Sequence, residues 1–205
     1  TFLCNPNSPS GTLVALPDIE RLARAVSGIL VVDEAYVDFA ESEGASTLPL
    51  INRLRNVIVL RTFSKSFSLA GMRVGLAFAS EEIISGMMKV KDSYNLNRLS
   101  LVAAAAALRD MPWMTRNVRR IRRSRRELTA GLRKRGFYVY PSHANFVMAQ
   151  KKKQNLKRLY EGLKSHHIFV RYFDVPGLQD SLRITVGTPK ENRALLKELK
   201  AIGDD

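Results

Sequence analysis

The chain opens with short apolar runs that alternate with helical patterns. Thr1 to Cys4 is brief and apolar. It stops at Asn5-Pro6-Asn7-Ser8-Pro9-Ser10-Gly11, a segment too rich in turn formers for the interior of a helix or strand. Between Pro17 and Val26 the apolar positions Ile19, Leu22, Ala23 and Val26 recur at helical spacing, with Pro17 suited to a first turn and Gly28 just past the end. Ile29 to Val32, Val57 to Leu60 and Val74 to Ala79 are continuous apolar runs, which predict strands covered on both faces. Strands of this kind, separated by helical stretches, predict an α/β layer architecture with a mainly parallel sheet.

The second half has a different rhythm. Arg98 to Leu108 is Ala-rich and helical, Asp110-Met111-Pro112 interrupts it, and an amphipathic stretch then runs from Trp113 to about Arg135. Strand-like runs follow at Phe137 to Tyr140, Phe146 to Ala149, Ile168 to Tyr172 and Leu182 to Val186. Helices are expected near Gln154 to Ser165 and from Pro189. This mixture predicts a smaller α+β domain over 111–205 behind a larger α/β domain over 1–110.

Composition narrows the class. Of 205 residues, 45% are hydrophobic and 25% charged, an ordinary globular balance that argues against disorder. The single cysteine, Cys4, excludes a disulfide framework and a cysteine-based zinc site; a buried small hydrophobe is its simplest role. No apolar run approaches the roughly 20 residues of a membrane span, and no basic-then-apolar leader opens the chain. A soluble chain of a reducing compartment is expected, and a start at Thr1 is expected of a piece of something longer.

Charge adds one feature. Lys plus Arg number 33 against 19 Asp plus Glu, a net +14. Much of the excess sits in one helix, at Arg116, Arg119, Arg120, Arg122, Arg123, Arg125 and Arg126, then Arg133, Lys134 and Arg135, against only Glu127. Met114, Val118, Ile121, Leu128 and Leu132 share the opposite face, so the arginines are expected on the solvent side. Such a surface could hold nucleic acid in a non-catalytic basic module. No aromatic platform or helix-turn-helix accompanies it, so a solvated helix is the favoured reading.

Candidate chemistry gathers at the expected strand ends. Asn5 ends the first run, Asp33 ends the second with Glu34 beside it and Tyr36 beyond, and Thr62, Ser64 and Lys65 follow the third. Arg73 comes eight residues after Lys65. Open α/β sheets bind ligands at such ends. A lysine with a neutral amine condenses with an aldehyde, a carboxylate keeps a pyridine nitrogen protonated, and hydroxyls with a guanidinium hold phosphate. Together they suit pyridoxal 5'-phosphate, whose protonated ring is an electron sink.

The ordered set Asn5 to Gly11, Val32-Asp33-Glu34-Ala35-Tyr36, and Ser64-Lys65 through Gly71-Met72-Arg73 resembles the fold-type I, class I/II aminotransferases. Four further stretches resemble the histidinol-phosphate branch of that family: Ser93 to Leu99, Ser142-His143-Ala144-Asn145-Phe146-Val147, Phe169 to Phe173, and Leu182 to Thr188. The resemblance implies that Lys65 bonds covalently to the cofactor and moves the substrate proton, and that Asp33 faces the ring nitrogen. It implies that Asn5 and Tyr36 meet the ring's phenolic oxygen, and that Thr62, Ser64 and Arg73 hold the phosphate. Arg171 and Arg183 would face the anionic end of the substrate, as bidentate arginine chemistry allows.

The same resemblance implies a cytoplasmic homodimer acting on an amino donor and a 2-oxo acid, with aromatic aminotransferases and threonine-phosphate decarboxylases as relatives that share the cofactor site. In that family an N-terminal segment precedes Thr1, so the chain is expected to be the C-terminal part.

Overall fold

The computed structural model describes residues 1–42 and 44–203. The chain divides into two compact units, residues 1–8 with 13–118, and residues 9–12 with 119 onward.

The first unit contains β1 (Phe2–Cys4), α1 (Leu16–Ala25), β2 (Leu30–Asp33), β3 (Val57–Thr62), β4 (Gly75–Phe78), α2 (Glu81–Val90) and α3 (Arg98–Arg109). Its sheet runs β1-β2-β3-β4. The first three strands are parallel and aligned, with Cys4 opposite Asp33 and Asp33 opposite Leu60. Leu30, Val32, Val57 and Val59 are fully buried and pack with Ile19 and Ala23 of α1. Burying each such aliphatic side chain stabilises by roughly 1.5–3 kcal/mol, so the α1 stripe and the strand runs specify one another.

β4 pairs antiparallel with β3 and lies at the end of the strand order among the described residues, with Leu76 on it 39% exposed. α2 buries none of its residues. α3 is better anchored: Asn97 caps it by accepting the Ser100 N–H at 2.8 Å, and the Ser100 hydroxyl donates to the Met72 carbonyl at 2.7 Å.

A long helix, α4 (Met111–Arg133), leads into the second unit, which adds β5 (Tyr138–Val139), β6 (Phe146–Gln150), α5 (Lys157–Ser165), β7 (Arg171–Tyr172), β8 (Ser181–Thr185) and α6 (Pro189–Gly203). Its sheet is antiparallel throughout, in the order β5-β6-β8-β7. Leu128, Leu132, Val147, Leu163 and Leu182 meet in its core.

Residue 110 falls at the junction of α3 and α4, whereas the units part between 118 and 119. Met111 and Met114, in the first turns of α4, line a cavity of about 170 Å³ together with Phe63 and Phe78 of the first unit.

The apolar stripe of α4 is as expected, with Met114, Val118, Leu128 and Leu132 buried. The placement of every arginine on its solvent side is not. Arg125 is buried, and its guanidinium donates to the Ala144 carbonyl at 2.7 Å. An orphan carbonyl in the Ser142–Phe146 turn is thereby satisfied, a role that helical periodicity cannot display. The same turn approaches Gly11, whose carbonyl accepts the His143 N–H at 2.8 Å. Gly11 has φ +79°, and a Cβ there would strike the Ser142 side chain, so both backbone and space require glycine.

His166 is the C-cap of α5, and its Nδ1 lies 2.6 Å from Glu198 Oε2, tying α5 to α6. Among the described residues no helix is long and apolar enough to cross a membrane.

Candidate active site

The parallel register decides where the site's parts can meet. Because Cys4, Asp33 and Leu60 are aligned, the residues that follow leave the sheet at one level. The Asn5 N–H reaches the Asp33 carbonyl at 2.9 Å, and the Glu34 N–H reaches that of Leu60 at 2.9 Å. Asn5, Asp33, Tyr36 and the segment from Thr62 thus share one end of the first sheet, the end at which open α/β sheets hold ligands.

The loop between β3 and β4 is folded back on itself. Thr62 faces Gly75 in the strand pairing, the Phe63 N–H donates to the Val74 carbonyl at 3.1 Å, and the Leu69 N–H donates to the Phe63 carbonyl at 3.0 Å. A turn closes at Lys65, whose carbonyl accepts the Ser68 N–H at 3.1 Å. The Lys65 ammonium sits 5.4 Å from the centroid of the Tyr36 ring, within cation–π range. The Thr62 hydroxyl accepts the Ser64 N–H at 3.1 Å. Arg73, in the left-handed region at φ 55°, ends this loop with its Nη1 on the Ala70 carbonyl at 2.8 Å.

The polar groups of the strand ends are already partly engaged. Asp33 is half-buried, and its Oδ1 accepts the Ala35 N–H at 2.9 Å. Asn5 is fully buried and clamps Val14 in both directions, its Oδ1 accepting the Val14 N–H at 2.8 Å and its Nδ2 donating to the Val14 carbonyl at 3.2 Å. That leaves the amide one donor hydrogen beyond the clamp. Burial pushes the Cys4 thiol above its ordinary value, with the Asp33 charge adding to the rise.

Seven of the nine residues singled out by the sequence, Asn5, Asp33, Tyr36, Thr62, Ser64, Lys65 and Arg73, therefore belong to the first unit. Arg171 and Arg183 belong to the second, directly opposite one another across β7 and β8. The Arg183 guanidinium lies 5.2 Å from the Phe146 ring centroid and that of Arg171 lies 5.5 Å from the Phe173 ring.

Sequence reasoning passed over one constellation, formed by Glu34, Arg61, Asp38 and Ser66. Arg61 Nε donates to Glu34 Oε2 at 2.8 Å and its Nη1 to Asp38 Oδ1 at 2.9 Å, and Ser66 donates to Asp38 Oδ2. The available signal was an arginine at the end of an otherwise apolar strand run, one residue before Thr62.

The donor set matches the groups of pyridoxal phosphate: an amine for an aldehyde, a carboxylate for a ring nitrogen, a phenol beside them, and hydroxyls with a guanidinium for a phosphate. The residues present fit that cofactor.

The family profile described as aminotransferase class I and II matches residues 2–199. The chain is 48% identical over 202 residues to histidinol-phosphate aminotransferase of Geobacter sp. strain M21, covering 98% of this chain and 57% of that protein. It is 45% identical over 200 residues to histidinol-phosphate aminotransferase 1 of Trichormus variabilis, covering 98% and 56%. A crystal structure of histidinol-phosphate aminotransferase from Sinorhizobium meliloti in complex with pyridoxal-5'-phosphate superposes with a TM-score of 0.91 at 28% identity, covering 98% of this chain and 56% of that one. The chain thus spans just over half the length of the curated relatives it matches.

Proposed function

Because this chain belongs to the class I and II aminotransferase family, we propose that it carries the cofactor-bonding lysine of a histidinol-phosphate transaminase. The proposed reaction moves the amino group of histidinol phosphate to 2-oxoglutarate, leaving imidazole-acetol phosphate and glutamate. The observation that carries this reading is Lys65, held 5.4 Å from the Tyr36 ring at the sheet end that also bears Asp33. The similarity to histidinol-phosphate aminotransferases supports the choice of substrate.

When bound, pyridoxal phosphate supplies an aldehyde for amines and a protonated ring that accepts electron density. Lys65 Nζ would hold the cofactor at its aldehyde carbon, with loss of water, and would carry the proton of the substrate's α-carbon. The Asp33 carboxylate holds the proton on the ring nitrogen by opposite charge. Tyr36 and the remaining amide hydrogen of Asn5 orient the ring through its phenolic oxygen. Thr62, Ser64 and Arg73 bind the phosphate through charge-assisted hydrogen bonds. Arg171 and Arg183 receive the phosphate or carboxylate of the substrates.

The working enzyme is proposed to be a cytoplasmic homodimer. The apolar residues exposed on α3, Leu99, Leu101 and Val102 among them, support an association surface on the first unit.

The test uses the complete gene product. Borohydride treatment with pyridoxal phosphate is expected to label Lys65, and Lys65→Ala to abolish both the label and the visible absorbance band. Turnover of histidinol phosphate is expected to exceed that of aromatic amino acids and threonine phosphate. Labelling of a different lysine would overturn the assignment.

A further inference from the structure

The constellation that sequence reasoning passed over underlies the same strand ends. Glu34 is 1% exposed, and a carboxylate removed from water needs donors on its lone pairs. It receives the Arg61 Nε–H at 2.8 Å, the Ser46 hydroxyl at 2.9 Å and the Thr47 N–H. The Arg61 fork continues outward, with Nη1 on Asp38 Oδ1 at 2.9 Å and Nη2 on the Ser46 hydroxyl at 3.0 Å. Asp38 Oδ2 then accepts the hydroxyl of Ser66, which is 3% exposed.

The order along the chain gives this network its consequence. Glu34 follows Asp33, Arg61 precedes Thr62, Ser66 follows Lys65, and Asp38 lies two residues beyond Tyr36. Four of the residues assigned to the cofactor thus have a close neighbour in the chain bonded into one set, with Glu34 and Ser66 buried and Arg61 and Asp38 partly so. The pairing of β3 with β4 ends at Thr62, so Lys65 lies beyond the ladder. The Ser66–Asp38 bond reaches from its immediate neighbour back to the segment that follows β2.

We propose that Glu34, Arg61, Asp38 and Ser66 form a clamp that positions Lys65 against Asp33. None of the four need touch cofactor or substrate. The clamp rests on the assignment of Lys65 and Asp33 above, and adds that charge-assisted side-chain bonds set their spacing. Hydrogen bonds to charged groups are strong enough for the loss of one to matter, and a misplacement of about 1 Å at a reacting group costs on the order of a hundredfold in rate.

Ser66→Ala removes only the last link and leaves the Arg61 ion pairs in place. In the complete gene product it is expected to lower kcat about tenfold with KM within about twofold, and Ser66→Thr to restore kcat. In the same protein stripped of cofactor, amide hydrogen exchange over residues 62–69 is expected to rise about tenfold, with the strands over 30–33 and 57–60 unchanged. Wild-type exchange and kcat in Ser66→Ala would overturn the clamp, as would a uniform rise in exchange across the unit, which marks a general stability role. If exchange rises locally but even the wild type takes up no cofactor, the clamp stands and the proposed activity falls.

Discussion

At the scale of single residues, two adjacent carboxylates have opposite fates. Asp33 is half-buried with one oxygen on the Ala35 N–H, while Glu34 is buried under three donors. Asp33→Asn in the complete gene product is expected to keep its melting temperature and lose on the order of a hundredfold in kcat, because a preorganised charge is removed where charge develops. Glu34→Ala is expected to lose about 3 kcal/mol of stability in chemical denaturation, because it removes the acceptor of the Arg61 Nε–H, the Ser46 hydroxyl and the Thr47 N–H at once.

The positions of Asp33 and Lys65 relative to strands were expected from the apolar runs before them, and the structure places Asp33 at the end of β2, Lys65 in the loop after β3 and Arg73 just before β4. The Glu34–Arg61–Asp38–Ser66 set was not legible in the sequence, because its members are joined across 23 to 28 residues of sequence. Only the register of β2 against β3 brings them together. Arg125 was misjudged for a related reason: helical spacing says which face a residue occupies, not which carbonyl lies beyond it.

At the scale of elements, the stripes of α1 and α4 could be read directly, since each buries a continuous apolar face. In the second unit, Leu182 on β8 is fully buried among core residues from helices and strands. Leu182→Ala is expected to cost about 2–5 kcal/mol, measured by urea unfolding.

The start of α6 offers a pH-dependent check. Thr188 and Glu191 form a reciprocal capping pair, the Thr188 N–H donating to Glu191 Oε2 at 2.7 Å and the Glu191 N–H to Thr188 Oγ1 at 3.3 Å. The backbone bond from Thr188, then its hydroxyl, hold the Glu191 carboxyl below its ordinary value of 4.5. A depressed folded value means that the contribution is complete above the unfolded value and disappears as the pH falls through the folded one. Melting temperature is therefore expected to drop on acidification below about pH 4.5, and less steeply in Glu191→Gln.

At the scale of the whole molecule, the sequence changes from parallel-strand runs to shorter mixed elements, and the structure divides into two compact units within α4, which runs on through the division without interruption. The net charge of +14 coexists with exposed apolar side chains on the first unit, including Leu99 at 77% and Val102 at 60%. Charge repels copies at low salt and is screened over roughly 8 Å at physiological ionic strength, whereas apolar attraction persists. Light scattering of the 205-residue chain is expected to show mass above 23.0 kDa that increases with salt, and Leu99→Lys with Val102→Lys to suppress it.

The membership of residues 9–12 in the second unit bears on any attempt to dissect the molecule. A protease nick between 118 and 119 would leave that strap on the other fragment. A recombinant piece starting at 119 would then lack the Gly11 carbonyl that His143 meets at 2.8 Å. Excising the second unit intact calls for grafting the tetrapeptide Pro9-Ser10-Gly11-Thr12 back beside the Ser142 turn.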